Sequence, residues 1–189
     1  TKSGTIYKGK LTVDASGKER ILGMNIEVLD LNYPLTDNDL ANAYREIHSV
    51  DPKVKLFWGD HEIKKELLYY RYGYQGGHSW LNYEDKETID IGAEVKVSKS
   101  VRKPKNIVNE YVNSNKGIHR DAQKKGGGKV LVRRPITMVW YGLMIIGDAA
   151  CQPIPTNGCG VGSAMVAAKM AAEVAIDALR VKEVSINKL

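Results

Sequence analysis

The chain has 189 residues and a mass of 21.0 kDa, enough for one sizeable core or two small ones. With 43% apolar and 26% charged residues it is neither disordered nor collagen-like, and no apolar run approaches the roughly 18–20 residues of a membrane-spanning helix. A net charge of +6 permits an anionic partner without requiring one. The two cysteines, Cys151 and Cys159, match neither a disulfide scaffold nor a zinc site, so a reducing, cytoplasmic compartment is expected.

Thr5 to Tyr7 and Leu11 to Val13 are short β-prone runs, the second closed by the turn chemistry of Asp14-Ala15-Ser16-Gly17. Leu40, Ala43, Tyr44 and Ile47 recur at helical spacing behind a possible cap at Thr36 or Asp37, predicting a helix that Pro52 limits. From Lys55 to Val97 the period becomes two. Leu68, Tyr70, Tyr72 and Tyr74 fall on one strand face, Gln75-Gly76-Gly77 turns the chain, His78 to Tyr83 returns, and Thr88 to Val97 follows after Glu84-Asp85-Lys86. This predicts an antiparallel meander with one wide aromatic face, drawn from Tyr69, Tyr70, Tyr72, Tyr74, Trp80 and Tyr83. Pro104 opens a short helix with Ile107, Val108, Tyr111 and Val112 on one side. Lys116 to Lys129, polar and containing three consecutive glycines, reads as an exposed loop.

The last third changes character. Leu143 to Ile146 is a continuous apolar run that suits a parallel strand covered on both faces. A Gly/Pro-rich loop follows, and Val161 to Leu179 then reads as about five turns of helix, apolar enough all round to pack closely on a sheet. The whole predicts an α+β fold.

Asp148, just past the strand, can accept hydrogen bonds from a sugar or polyol. Glycines 158, 160 and 162 let backbone approach a flat or phosphorylated ligand, and the helix beginning near Gly160 points free N–H groups and partial positive charge at it. The same glycines would equally serve the turns of an ordinary strand–loop–helix, and residue spacing alone leaves both readings open.

The stretch Gly147-Asp148-Ala149-Ala150-Cys151-Gln152-Pro153-Ile154-Pro155-Thr156-Asn157-Gly158-Cys159-Gly160-Val161 resembles the C-terminal flavin motif of the geranylgeranyl reductase family of FAD-dependent oxidoreductases. Upstream, Thr12-Val13-Asp14-Ala15-Ser16-Gly17 looks like that family's strand end, and the closing residues 183–189 resemble the segment after its last FAD-domain helix. The resemblance implies a substrate domain over residues 25–135, built on an antiparallel sheet, flanked by parts of an FAD-binding α/β domain at 1–24 and 136–189. The GxGxxG unit that opens family members is absent, so the chain is expected to be the latter part of such an enzyme, inactive by itself.

By the same resemblance Gly147, Asp148, Asn157, Gly158, Gly160 and Val161 would hold FAD, with Ala15 and Gly17 near its adenosine side. His78-Ser79-Trp80-Leu81-Asn82-Tyr83 stands where the family carries Y-x-W-x-F-P, so Trp80, Tyr72 and His78 would line a substrate channel. Gly92-Ala93-Glu94 keeps only the first glycine of the family's G-x-G. The implied activity is reduction of isoprenoid C=C bonds by hydride from reduced flavin, fed by NAD(P)H or ferredoxin, with possible peripheral membrane contact. A flavin monooxygenase or dehydrogenase on the same scaffold, or a non-catalytic module binding apolar lipid, are the alternatives. His48, His61, His78 and His119 are too scattered for a metal site, and no nucleic-acid motif accompanies the basic clusters.

Overall fold

A computed structural model describes residues 4–26, 34–73, 76–99 and 102–189. In chain order these form β1 (Thr12–Asp14), β2 (Leu40–Val50), β3 (Phe57–Trp58), β4 (His61–Glu62), β5 (Tyr69–Tyr72), β6 (His78–Tyr83), β7 (Thr88–Lys96), α1 (Pro104–Ser114), β8 (Ile118–Leu131), β9 (Val139–Trp140), β10 (Leu143–Ile145) and α2 (Val161–Arg180). The fold is α+β. The chain divides into two compact units, a sheet unit of Leu35–Val130 and a split unit of Thr1–Pro34 with Leu131–Leu189.

The sheet unit is a five-stranded sheet ordered β5-β6-β7-β2-β8. The meander is present as β5, β6 and β7, all antiparallel. Tyr74 and Gln75, assigned to its first strand and turn, lie outside the described residues. The aromatic residues do not share one face. Tyr69 and Tyr83 pack with Leu81, Ile91, Ala93 and Val95 against Ile107, Val108 and Val112 of α1, while Tyr70, Tyr72 and Trp80 alternate onto the opposite side. The predicted α1 forms as read, with Pro104 in its first turn.

Two expectations in this unit are overturned. The segment predicted as a helix from Leu40 is β2, paired residue for residue with β7 from Ala41↔Lys96 to Ser49↔Thr88. Thr36 does cap, but it caps the one-turn 3-10 helix Asp37–Asp39, through a reciprocal box with Asp39. β2 is central in the sheet and buries Ala41 and Ile47 on one face and Val50 on the other, which erases the strict alternation that marks a strand. The predicted loop at 116–129 is the edge strand β8. Its side chains are mostly exposed between the buried Ile118 and Leu131, and its lysines suit an unpaired edge.

In the split unit β10 is the centre of a three-stranded sheet, parallel to β1 (Thr12↔Leu143, Asp14↔Ile145) and antiparallel to β9. Leu143, Met144 and Ile145 are all buried, as the apolar run predicts. Thr5–Tyr7 is not a strand, and Ile6 and Tyr7 are exposed. The larger correction concerns α2. Its span matches the reading, but of its residues only Ala178 is buried. Val161, Met165, Val166, Met170 and Ile176 are exposed, and a groove of about 560 Å³ opens between Val166 and Met170 on one side and Met138 and Met144 on the other. Three short strands offer too little sheet to cover twenty helical residues.

Candidate functional site

After β10 the chain enters a one-turn 3-10 helix, Gly147–Ala150, left by Cys151 in a left-handed conformation. The Gly147 amide donates to Gln152 Oε1 at 2.6 Å, which fixes the turn's entry. A loop then runs to Gly160, which caps α2 without any side-chain hydrogen bond to its tip. The first amides of α2 are therefore available to a ligand. Asp148, half-buried, sits beside that tip. Its Oδ1 lies 3.1 Å from the point where a Cβ on Gly160 would stand, with Pro153 Cγ at 3.5 Å from the same point. A side chain at 160 would press on the carboxylate, so glycine leaves it space beside the helix N-terminus.

Asn157 turns inward on its own loop, accepting the Cys159 amide on Oδ1 at 3.0 Å, and the Gly158 amide donates to Ile154 O at 2.8 Å. Val161 is exposed at the start of α2, while Ala15 is exposed and Gly17 half-buried in the loop after β1. Cys151 is buried and Cys159 exposed.

Sequence reading missed Asp14, which fixes the turn after β1. Its buried carboxylate accepts from the Ser16 amide (3.0 Å) and hydroxyl (2.6 Å) and from the Leu22 and Gly23 amides (2.9 and 3.0 Å). Burial pushes its pKa up, but the four hydrogen bonds outweigh it and hold the carboxyl below its ordinary value.

In the sheet unit Trp80, Tyr72 and His78 lie on one wall. Tyr70 and Tyr72 stack at 6.2 Å between centroids, and His78 meets Tyr70, Tyr72 and Trp80 at 5.6, 5.8 and 5.6 Å. A Cβ on Gly92 would fall inside the Trp80 indole, so the indole lies flat across β7 because residue 92 has no side chain. Beside it runs a groove of about 520 Å³ lined by Ala43, Arg45, Ile47, Trp80, Lys124 and Lys125 among others. Arg45 is held at its rim by Asp90 (2.9 Å) and Glu84 (3.3 Å).

On the core side of β2, the alternating Tyr44, Glu46 and His48 form a buried chain. The Tyr44 hydroxyl donates to Glu46 Oε1 at 2.6 Å, Glu46 Oε2 meets His48 Nε2 at 2.8 Å, and His48 Nδ1 donates to the His119 carbonyl at 2.8 Å. Burial raises the Glu46 pKa, but the Tyr44 and His48 hydrogen bonds, helped by the charge of Lys125, hold it below the ordinary range. The Tyr44 phenol is pushed up to about 12 by burial and by Glu46. Polar residues at i, i+2 and i+4 were the available signal, and it was hidden by the helical reading of the segment.

A parallel strand ending in a glycine-rich turn and helix tip, in one chain with an antiparallel five-stranded sheet unit, is an arrangement shared with flavin enzymes. A flavin-dependent halogenase from Xanthomonas campestris has it: 91% of this chain and 32% of that one superpose with a TM-score of 0.54 at 10% identity, a likeness of fold alone. No family model matches the chain. The chain is nevertheless similar to members of the geranylgeranyl reductase family. It is 27% identical over 192 residues to the digeranylgeranylglycerophospholipid reductase of Sulfolobus acidocaldarius, covering 98% of this chain and 40% of that protein. It also superposes, over 96% of its length and 44% of the other, on a geranylgeranyl bacteriochlorophyll reductase-like protein from Thermoplasma acidophilum, with a TM-score of 0.80 at 20% identity. The chain spans about two fifths of the length of the curated relatives it matches.

Proposed function

We propose that this chain is the latter part of an FAD-dependent oxidoreductase that reduces carbon–carbon double bonds of a geranylgeranyl-type lipid, drawing electrons from an external reductant. The observation that carries it is the corner where Asp148, the bare backbone of Gly160 and the uncapped tip of α2 meet. A carboxylate there accepts hydrogen bonds from the hydroxyls of a polyol chain, and the Val161, Gly162 and Ser163 amides donate to an electron-rich ring edge or phosphate. Asn157 and Gly158 shape the loop against the ring, and Ala15 and Gly17 serve the adenosine side. Bound FAD, once reduced, supplies the hydride.

In the sheet unit, Trp80 and Ile47 give the groove an apolar wall for a prenyl chain, with Tyr72 and His78 further along the same face. Lys124 and Lys125 line the same groove and suit an anionic lipid head. The curated relative's name, a reductase of a glycerophospholipid, agrees with that pairing of apolar wall and cations. The exposed apolar face of α2 supports a longer enzyme whose remaining chain covers it.

The test is flavin content and turnover of the full-length protein. It should purify yellow, lose at least tenfold in flavin occupancy as Asp148→Ala, and have its reduced flavin reoxidised anaerobically by a prenylated phospholipid. A colourless protein that FAD cannot reconstitute would leave only a lipid-binding module, and oxygen-dependent hydroxylation would make it a monooxygenase. The 189-residue chain by itself should bind FAD weakly or not at all. Tight stoichiometric binding would overturn the partial-enzyme reading.

A further inference from the structure

The wall that carries Trp80 also holds two titratable side chains with no assigned task. Reading across the ladder, Tyr72 pairs with His78, His78 with Glu94, and Glu94 with Ala43; the next row is Tyr70, Trp80, Gly92 and Arg45. Ala43, Arg45 and Trp80 line the 520 Å³ groove, so Glu94 stands in the row that borders it. Glu94 alternates with Ala93 and Val95, which belong to the core packed on α1, and therefore projects to the groove face. It is 4% exposed and His78 2%, and among the described residues no hydrogen bond or ion pair engages the Glu94 carboxyl.

His78 Nε2 is fully buried without a partner, whereas no Glu94 oxygen is among the fully buried unpartnered atoms. A native sheet rarely leaves such a nitrogen beside an unbonded carboxyl unless something else uses them. Burial pushes the Glu94 carboxyl up to about 7 and holds His78 below its usual value, so an acid able to give a proton near neutrality sits next to a neutral imidazole. On this face of the sheet the other titratable neighbours are Tyr70, Tyr72, Lys96, Asp90 and Arg45, with Glu84, Lys124 and Lys125 along the adjoining groove.

Resting on the reductase reading above, we propose that Glu94, with His78 beside it, is the proton donor to one alkene carbon of a lipid laid along this aromatic wall. The Glu94 O–H bond breaks and a C–H bond forms at that carbon, using the π electron pair. A reduced flavin bound by the full-length enzyme would supply the hydride for the second C–H bond and with it the two electrons of the reduction. The carboxylate left on Glu94 takes its next proton from solvent. The aromatic rings face the alkene and keep bulk water away from it.

Two measurements test this. In the 189-residue chain, infrared spectroscopy should show a protonated carboxylic acid that titrates near neutral pH and vanishes in Glu94→Gln. In the full-length enzyme, Glu94→Gln should slow single-turnover alkene reduction by about 10²- to 10⁴-fold, leaving flavin reduction and lipid affinity within threefold, with partial recovery in Glu94→Asp. A Glu94 that titrates in the ordinary carboxylate range, or a Glu94→Gln enzyme that reduces the lipid at the wild-type rate, overturns the inference alone. A wild-type enzyme that reduces no prenyl lipid overturns the reading beneath it.

Discussion

Around Asp148 the candidate chemistry is made mostly of backbone: one carboxylate, a glycine where a Cβ would crowd it, and the free amides at the tip of α2. Around Glu94 it is made of side chains that four different strands bring into two adjacent rows. Sites of the first kind restrict sequence locally, because a small residue is favoured beside the carboxylate and a helix start must follow. Sites of the second kind restrict it through partners tens of residues away. His78 and Glu94 are ordinary in sequence and become neighbours only through the register of β6 on β7.

The sharpest way to break this contrast is at Asp14, where the split unit depends on one side chain after all. Asp14→Ala leaves two amides, a hydroxyl and a further amide without their acceptor, and should lower stability by about 3–4 kcal/mol. Chemical denaturation would show it as a lower midpoint at unchanged slope. The sign with pH follows from a carboxyl held low in the folded state. Its contribution is present above the unfolded value of 3.8 and is lost as pH falls through the folded one, so wild type and variant should converge in acid. Equal stabilities at pH 7 would mean that backbone geometry, not Asp14, holds the turn after β1.

How much was legible follows the same division. The strand–turn–helix from Leu143 to Arg180 was readable because each part imposes its own local requirement: an apolar run, glycines, then helical periodicity. The meander was readable from its turns. β2 was not, because burial on both faces of a central strand removes the period-two signal and leaves a chance helical spacing of Leu40, Ala43, Tyr44 and Ile47. β8 was not, because an edge strand with exposed lysines and glycines carries no hydrophobic pattern at all. At the candidate sites, Asp148 and Trp80 were found by motif. Glu94 was noticed only as a departure from one, since nothing in the sequence reports that a carboxyl between Ala93 and Val95 will be buried opposite a histidine.

Glu94 allows the second, somewhat smaller test, and its sign is the reverse of Asp14's. A carboxyl raised from 4.5 to about 7 on folding binds its proton more tightly in the folded state. Stability is therefore greatest below the unfolded value, declines as pH rises from about 4.5 to 7, and is flat beyond. Glu94→Gln removes that decline. It should match wild type near pH 4 and exceed it by about 3 kcal/mol at pH 8, measured as paired denaturation curves. A variant more stable yet slower in turnover is what a group kept for chemistry predicts. A variant less stable at every pH would instead give Glu94 a structural role.

The smallest expected effect lies on α2 and sharpens the contrast from the other side. Val166 and Met170 are 61% and 60% exposed and line the 560 Å³ groove, so nothing among the described residues packs on them closely enough to register their loss. In the 189-residue chain the double substitution Val166→Ala, Met170→Ala should shift stability by no more than about 0.5 kcal/mol. In the full-length protein, where the proposed reading has further chain covering this face, the same pair should cost several kcal/mol, because each truncation then leaves a cavity. The two measurements compare one pair of side chains in two settings, so helix propensity and unfolded-state effects largely cancel between them. An equal, near-zero shift in both would show that the apolar face of α2 stays uncovered in the longer protein, and would return it to the surface as an unassigned patch.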